Sequence, residues 1–298
     1  MTDKELLGRD RPVATDNGWQ RHARRLQSDW RELQGLAPGL HLGQSLASRL
    51  ELEDGRPPAL RNYMTEAAKS QVLAAVAAAP ASGALLSRPR LWVDLLSSQP
   101  LCFNAFGDLA VDLALATRVL RRVLPDDVET VEQVAFEYSP GRSDYARYTG
   151  SRSAFDIFVV ATGRRGRGFL GIEVKYAENM SVSRAEDRGH RLLAEATDVF
   201  RLERLDELER PPLQQLWLDH LLALRMVQVD PDQWRWGKFI TLYPTGNIRC
   251  DRIVTRYREC IRDESTFSIV TLEHFTEALL AEAPGPWPQE LRRRYLGS

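Results

Sequence analysis

Residues 154–176, AFDIFVVATGRRGRGFLGIEVKY, contain the clearest indication of the fold in this chain. Two apolar runs flank a loop of glycines and arginines, and this pattern predicts two strands joined as an antiparallel hairpin. The runs nevertheless contain Asp156, Glu173 and Lys175. Because a buried charge is costly unless it is paired or binds a metal, these three residues are the first candidates for a functional site.

The pairing of the two strands places the charges relative to one another. Side chains alternate between the faces of a strand, so Glu173 and Lys175 share one face. If Ala161 pairs with Gly168 across the loop, Asp156 lies directly opposite Glu173. Cross-strand Cβ atoms are about 4.5–5.5 Å apart, and two carboxylates at that distance repel each other unless a cation lies between them. The pairing therefore predicts a cation site, whereas a slip of one residue would put the carboxylates on opposite faces.

A third carboxylate, Glu137, lies near the end of the strand predicted before the hairpin. In an up-down-up arrangement, the end of that strand, the start of the second and the end of the third meet at one edge. Oxygen ligands of this kind are the ones that Mg²⁺ and Mn²⁺ prefer, and such a metal activates water and offsets charge on a phosphate. Lys175 would orient or help deprotonate the water, or stabilise the phosphate electrostatically. The edge thus predicts metal-assisted phosphodiester hydrolysis.

The segments around the hairpin alternate between helices and strands. We predict helices at about 19–36, 65–79, 101–124, 185–204, 212–227, 248–262 and 274–283. We predict strands at 131–139, 154–161, 168–176, 238–243 and 267–272. This order favours an α/β fold with a mixed sheet flanked by helices on both faces. Residues 1–90 are predicted to form an arm and a helical extension, and residues 91–298 the main domain.

Composition restricts the classes of function. The chain has 298 residues, of which 43% are hydrophobic and 27% charged, as in ordinary globular proteins. Its formal net charge of -1 argues against a sequence-blind nucleic-acid coat protein, and the longest apolar runs are too short for a membrane span. With no apolar secretory signal at the start and no C-x-x-C pair among three cysteines, we expect a cytoplasmic location. Zinc-ligand spacings, a Walker loop and a serine-nucleophile motif are also missing from the sequence.

Two groups of arginines are candidates for contact with nucleic acid. One lies in the basic loop 141–152, where tyrosines are interleaved, and the other falls on one face of the helix predicted at 248–262. The six residues are Arg142, Arg147, Arg152, Arg249, Arg252 and Arg256. For both groups the alternative is a solvated surface without a ligand.

The arrangement resembles the PD-(D/E)XK nuclease superfamily, whose restriction-endonuclease-like core is a helix, three antiparallel strands, a helix and a further strand. Two segments, LSSQPLCFN at 96–104 and GIEVKY at 171–176, resemble those of a bacterial family of restriction endonucleases within that superfamily. The resemblance covers about 90–275, with the N-terminal helices as a further candidate part of it. It implies that Asp156 and Glu173, with the backbone carbonyl of Val174, bind Mg²⁺ or Mn²⁺.

The resemblance also implies that Lys175 assists the attacking water and that Glu137 supplies the additional acidic residue, for which Asp108 and Asp112 are weaker candidates. The proline of the superfamily motif is Phe155 in this chain. The implied activity is that of a restriction-type or repair DNA endonuclease. A nuclease-fold module that binds nucleic acid or protein without catalysis is one alternative, and a structural ion-pair cluster in an unrelated α/β protein is another. The implied partner is a DNA substrate, and a homodimer is compatible with the sequence.

Overall fold

A five-stranded mixed sheet forms the centre of the fold. The computed structural model describes residues 13–142, 144–178 and 188–297. The central strands are β3 (Thr130–Tyr138), β4 (Phe155–Gly163), β5 (Gly166–Val174), β6 (Trp236–Tyr243) and β7 (Phe267–Thr271), hydrogen-bonded in that order. The pairs β3–β4 and β4–β5 are antiparallel, and β5–β6 and β6–β7 are parallel. A separate hairpin pairs β1 (Pro38–His41) with β2 (Gln44–Leu50).

Helices cover both faces of this sheet. They are α1 (Gly18–Leu33), α2 (Leu52–Gly55), α3 (Glu66–Ser82), α4 (Arg88–Val93), α5 (Ser98–Val111), α6 (Leu113–Val123), α7 (Arg188–Glu195), α8 (Leu205–Leu208), α9 (Gln214–Val229), α10 (Ile248–Glu259), α11 (Leu272–Glu282) and α12 (Trp287–Leu296). Along β4, Ile157 and Val159 belong to a core with α5, α6 and α11, while Phe158 and Val160 belong to a core with α9 and α10. The alternation of side chains thus divides the interior into two layers, and the predicted α/β class is confirmed.

The predicted register of the central hairpin is confirmed. Ala161 pairs with Gly168, and the pairing continues to Ile157 opposite Ile172. The turn is tighter than expected, since the strands run as far as Gly163 and Gly166. Gly166 has a φ of +89°, a backbone conformation that glycine adopts readily and that would strain a residue with a Cβ atom.

Several predicted helix ends differ from the structure, and two of the differences have a clear physical reason. The single helix predicted at 101–124 is two helices, because Asp112 adopts a non-helical conformation and its side chain accepts a hydrogen bond from Leu115 N at the start of α6. The apolar pattern continues across this break, which is why sequence periodicity missed it. Pro80 does not end α3, which continues to Ser82 and stops at Gly83 in the left-handed conformation. The helix tolerates a proline in its last turn because the proline removes only one backbone hydrogen-bond donor there.

Other elements differ from the prediction in extent. The helix predicted at 185–204 is limited to α7 within the described residues, and 185–187 lie outside them. The hairpin β1–β2 was not predicted, and its presence shows that the N-terminal segment is not purely helical. The C-terminal helix α12 was not predicted either. All three cysteines are buried and free. None of the helices in the described ranges combines the length and the hydropathy needed to cross a bilayer.

His220 on α9 is a core residue with both ring nitrogens satisfied. Its Nδ1 lies 2.9 Å from the hydroxyl of Tyr257, and its Nε2 lies 2.9 Å from that of Thr266. Burial lowers the pKa of His220 to about 3. The ring is therefore neutral in the native protein at physiological pH.

We expect this neutral histidine to make stability depend on pH. Above the unfolded pKa of about 6.5, His220 does not make the free energy of unfolding depend on pH. As the pH falls from there towards 3, the free energy of unfolding declines, because the unfolded chain binds a proton that the native state excludes. The decline should approach about 1.4 kcal/mol per pH unit. His220→Phe should be less stable at neutral pH, since two buried hydroxyls lose a partner, but its free energy of unfolding should vary less with pH. Urea unfolding at several pH values between about 3 and 7 measures the free energy of unfolding of both proteins. If that free energy depended on pH equally in the wild type and in His220→Phe, a neutral His220 would be contradicted.

Candidate active site

The sheet brings the predicted carboxylates and lysine into one cavity of about 440 Å³. It lies where β3 ends, β4 begins and β5 ends. Glu137, Asp156, Glu173 and Lys175 all line it. Strand order and the hairpin register account for this convergence, as the sequence predicted.

Asp156 is fixed by the neighbouring strand. Its Oδ2 accepts a hydrogen bond of 2.8 Å from Val174 N, and its Oδ1 has no donor among the described residues. Burial, followed by the negative charges of Glu173 and Glu137, raises the pKa of Asp156 well above its usual value. The site thus contains more carboxylate charge than its own groups stabilise, and a cation would relieve the excess.

Glu173 and Lys175 form a buried pair on the same face of β5. Glu173 is 4% exposed, and its Oε1 accepts hydrogen bonds from Lys175 Nζ and, at 2.7 Å, from Gln215 Nε2. Burial opposes the charge of Lys175, but Glu173 and Asp156 outweigh it and raise the lysine pKa. Lys175 is therefore an ammonium at neutral pH, suited to donate hydrogen bonds and to attract an anion.

Glu137 has a strained backbone. Its φ is +51°, although its neighbours Phe136 and Tyr138 pair normally with β4. Such a conformation costs a non-glycine residue about 1–3 kcal/mol and persists only where the surrounding structure imposes it. Burial raises the pKa of Glu137, and the nearby charge of Arg142, 3.4 Å away, partly offsets this effect.

Phe155 occupies the position of the motif's proline and fixes the start of β4. Its ring is fully buried against Phe158, Phe169 and Phe239. Gly171 on β5 provides the space, because a Cβ there would lie 2.5 Å from the Phe155 ring. The departure from proline therefore supplies a packed anchor directly beside Asp156.

Helix α9 contributes two residues to the site: Gln215, for which exposure was the default expectation from sequence, and Asp219, which sequence reasoning missed. Gln215 bonds to Glu173, and Asp219, one helical turn later, lines the same cavity while being only 3% exposed. Asp219 Oδ2 is buried without a hydrogen-bond partner among the described residues. Burial and then the charge of Glu173 raise the pKa of Asp219. An acidic residue inside the largely apolar run 216–224 was the available signal, since the same pattern marked Asp156.

The arginines of the loop 141–152 occupy three different environments. The side chain of Arg142 lies in the cavity wall and is 8% exposed. Arg152 lines the same cavity, is exposed, and has no acidic partner among the described residues. Arg147 instead forms an ion pair with Asp230, which also accepts a hydrogen bond of 2.8 Å from the hydroxyl of Tyr148.

The arginines of α10 lie outside this cavity. Arg249 and Arg252 are exposed and line a second cavity of about 750 Å³ together with Trp19. Arg256 pairs with Glu207 at 2.7 Å. The helix face therefore offers two arginines without an acidic partner among the described residues, and one that is neutralised locally.

The weaker acidic candidates have structural roles. Asp108 accepts a hydrogen bond of 2.6 Å from Thr65, the N-cap residue of α3, and Asp112 caps α6. The residues that line the cavity do not include either of them. Glu137 is thus the predicted additional carboxylate that the structure brings to Asp156 and Glu173.

The donor set fits a hard divalent cation. Within 13–142, 144–178 and 188–297, no cluster of three or more His, Cys, Asp or Glu side chains is arranged to hold a metal. The predicted ligands are fewer, namely the side chains of Asp156 and Glu173 and the backbone carbonyl of Val174. Mg²⁺ commonly binds through one or two carboxylates and keeps several waters, so two carboxylates and one carbonyl are chemically compatible with this ion.

Comparison with known proteins identifies one family. A family model described as the PD-(D/E)XK nuclease superfamily matches residues 14–297, nearly the whole chain. The match includes the N-terminal helices, which the sequence resemblance left open, and it also extends beyond residue 275 to α12. No curated protein and no solved structure matches the chain.

Proposed function

Because the chain belongs to the PD-(D/E)XK nuclease superfamily, we propose that it is a Mg²⁺-dependent nuclease that hydrolyses DNA phosphodiester bonds. The superfamily generally comprises nucleases that use divalent metals, and its substrates are nucleic acids. The mixed sheet with flanking helices is consistent with its restriction-endonuclease-like fold. The observation that carries the proposal is the convergence of Asp156, Glu173 and Lys175 in one cavity. A restriction-type or repair endonuclease is the activity that this combination favours.

The residues divide the chemistry between them. Asp156, Glu173 and the carbonyl of Val174 would hold Mg²⁺ or Mn²⁺, and the bound metal would supply water activation and offset the charge that grows on the phosphate. Lys175, kept cationic by its carboxylate neighbours, orients the attacking water and stabilises the phosphate. Glu137 adds negative charge beside the metal ligands.

The arginines supply the surface for the nucleic acid. Arg142 and Arg152 lie at the cavity, where a bound backbone must pass, and Arg147 follows on the same loop. Arg249, Arg252 and Arg256 extend the basic surface along α10. Contacts of this kind position a nucleic acid without reading its sequence. Arg152, Arg249 and Arg252 are the strongest contributors, because they have no acidic partner among the described residues.

Metal binding provides a test that is independent of cleavage. We expect Mn²⁺ to raise the melting temperature of the wild type by about 5 °C when it is present well above its dissociation constant. Asp156→Asn should remove this shift, because the amide lacks the charge that attracts the metal. Glu132→Gln is a matched control, since Glu132 lies on β3 and pairs with Arg167 on the surface. Absence of a shift in the wild type would contradict the metal role, and an equal shift in Asp156→Asn would contradict the ligand assignment.

A further inference from the structure

Arg142 lies in the cavity wall with part of its guanidinium unpartnered. Its side chain is 8% exposed, and Nη1 is buried without a hydrogen-bond partner among the described residues. Nη2 is 3.4 Å from Glu137 Oε2, a long contact for a charge-assisted hydrogen bond. A buried donor without a partner costs about 1–3 kcal/mol, so its presence in a native structure calls for an explanation.

The surroundings of Arg142 hold the guanidinium in place. Gly83, which ends α3 with a φ of +69°, lies against its stem, since a Cβ there would be 3.7 Å from Arg142 Cδ. Glu137 restrains the other side through the ion pair. Loss of side-chain freedom on binding a ligand is therefore small for Arg142. The N-terminal segment thus contributes to the geometry of the site through α3.

The other arginines near the site do not share this situation. Arg90 is engaged by Glu178 at 2.6 Å, and Arg147 by Asp230. Arg152 is exposed, so water satisfies its donors. Arg142 is the arginine of this cavity whose buried nitrogen needs an acceptor from outside the described residues.

We propose that Arg142 Nη1 binds a non-bridging oxygen of the phosphate group that is being cleaved. The proposal rests on the proposed nuclease function and assigns Arg142 a part in the reaction, beyond a contact with the flanking backbone. A planar guanidinium matches the spacing of phosphate oxygens, and a donor already fixed beside the reacting atoms needs no reorganisation. Lys175 and Arg142 would then contribute the positive charge that holds the phosphate beside the carboxylates.

A substrate with a single phosphodiester distinguishes contact of Arg142 with the cleaved phosphate from contact with the flanking backbone. Thymidine 5′-(4-nitrophenyl phosphate) has no flanking phosphate, so backbone contacts cannot influence its hydrolysis. With Mn²⁺ we expect Arg142→Gln to lower kcat by about 10²-fold and to change KM little. Arg142→Lys should recover part of the rate because it restores the charge. Arg293→Gln, at an exposed arginine on α12 that does not line the cavity, is the control and should match the wild type. Unchanged kcat in Arg142→Gln would overturn the proposal.

Sulfate, which has the tetrahedral oxygens of a phosphate group, tests the anion site without catalysis. In Mg²⁺ buffer of constant ionic strength, we expect sulfate to raise the melting temperature of the wild type more than that of Arg142→Gln. Equal shifts in both proteins would overturn the anion site. If the wild type hydrolyses neither the ester nor DNA, the proposed function fails, and the sulfate comparison still decides whether Arg142 binds an anion.

Discussion

Asp156→Asn is expected to lower Mg²⁺-dependent cleavage of plasmid DNA by about 10³-fold or more, and Lys175→Met by about 10²–10³-fold. The first change removes a carboxylate charge to which we assign metal binding. The second removes the ammonium that Glu173 and Asp156 keep protonated, and to which we assign contact with the reacting phosphate. Supercoiled plasmid incubated with Mg²⁺ and separated on an agarose gel provides the measurement.

Asn at position 156 separates chemistry from folding. Its side-chain oxygen can still accept the hydrogen bond from Val174 N, so the start of β4 should remain in place. The substitution also removes a carboxylate whose pKa is raised by burial and by the charges of Glu173 and Glu137. We therefore expect the variant to be at least as stable as the wild type, which a thermal melt without metal will show.

The controls for cleavage distinguish the remaining alternatives. Glu132→Gln, a surface carboxylate on β3, should cleave DNA like the wild type. Wild-type activity in both Asp156→Asn and Lys175→Met would refute the site. If the wild type cleaves no form of DNA and binds no metal in calorimetry, the chain is instead a non-catalytic module of the nuclease fold.

Arg294→Ala is expected to destabilise the protein by about 3–5 kcal/mol. Arg294 lies on α12 and is 1% exposed. Its guanidinium donates hydrogen bonds to Asn62 Oδ1 (2.6 Å), Asn62 O (2.8 Å) and Gln27 Oε1 (3.0 Å), and it lies 3.7 Å from the centre of the Trp30 ring. Hydrogen bonds from a charged donor contribute about 1.5–3 kcal/mol each, and their loss here leaves buried acceptors without a donor.

Arg293 offers a matched control on the same helix. It is exposed, so Arg293→Ala should change the free energy of unfolding by no more than about 0.5 kcal/mol. Urea unfolding followed by circular dichroism compares the two variants, and equal effects would contradict a structural role for Arg294.

The same unfolding experiment tests the division of the chain at residue 90, which remains a prediction. Because Arg294 joins α12 to Gln27 and Asn62, we expect one cooperative transition, whereas two would indicate an independent N-terminal unit.

The acidic edge of the sheet could be predicted because it depends on local pairing. Asp156 and Glu173 belong to strands joined by a short turn, so strand alternation and the turn determine their positions relative to each other. Lys175 follows from the same alternation, and Glu137 from the antiparallel order of neighbouring strands. Helix ends were less predictable, since capping by Asp112 competes with an apolar pattern that continues through it.

Sequence patterns were therefore sufficient to derive the α/β class, the register of the central hairpin and the meeting of three carboxylates with one lysine. The tertiary fold, by contrast, brings Gln215 and Asp219 to the site, because α9 reaches Glu173 through packing on the sheet. It also separated arginines that looked equivalent in the loop 141–152. Arg147 meets Asp230, which is distant in the chain, whereas Arg142 turns into the cavity. Such differences arise from contacts between remote segments, which periodicity and spacing do not record.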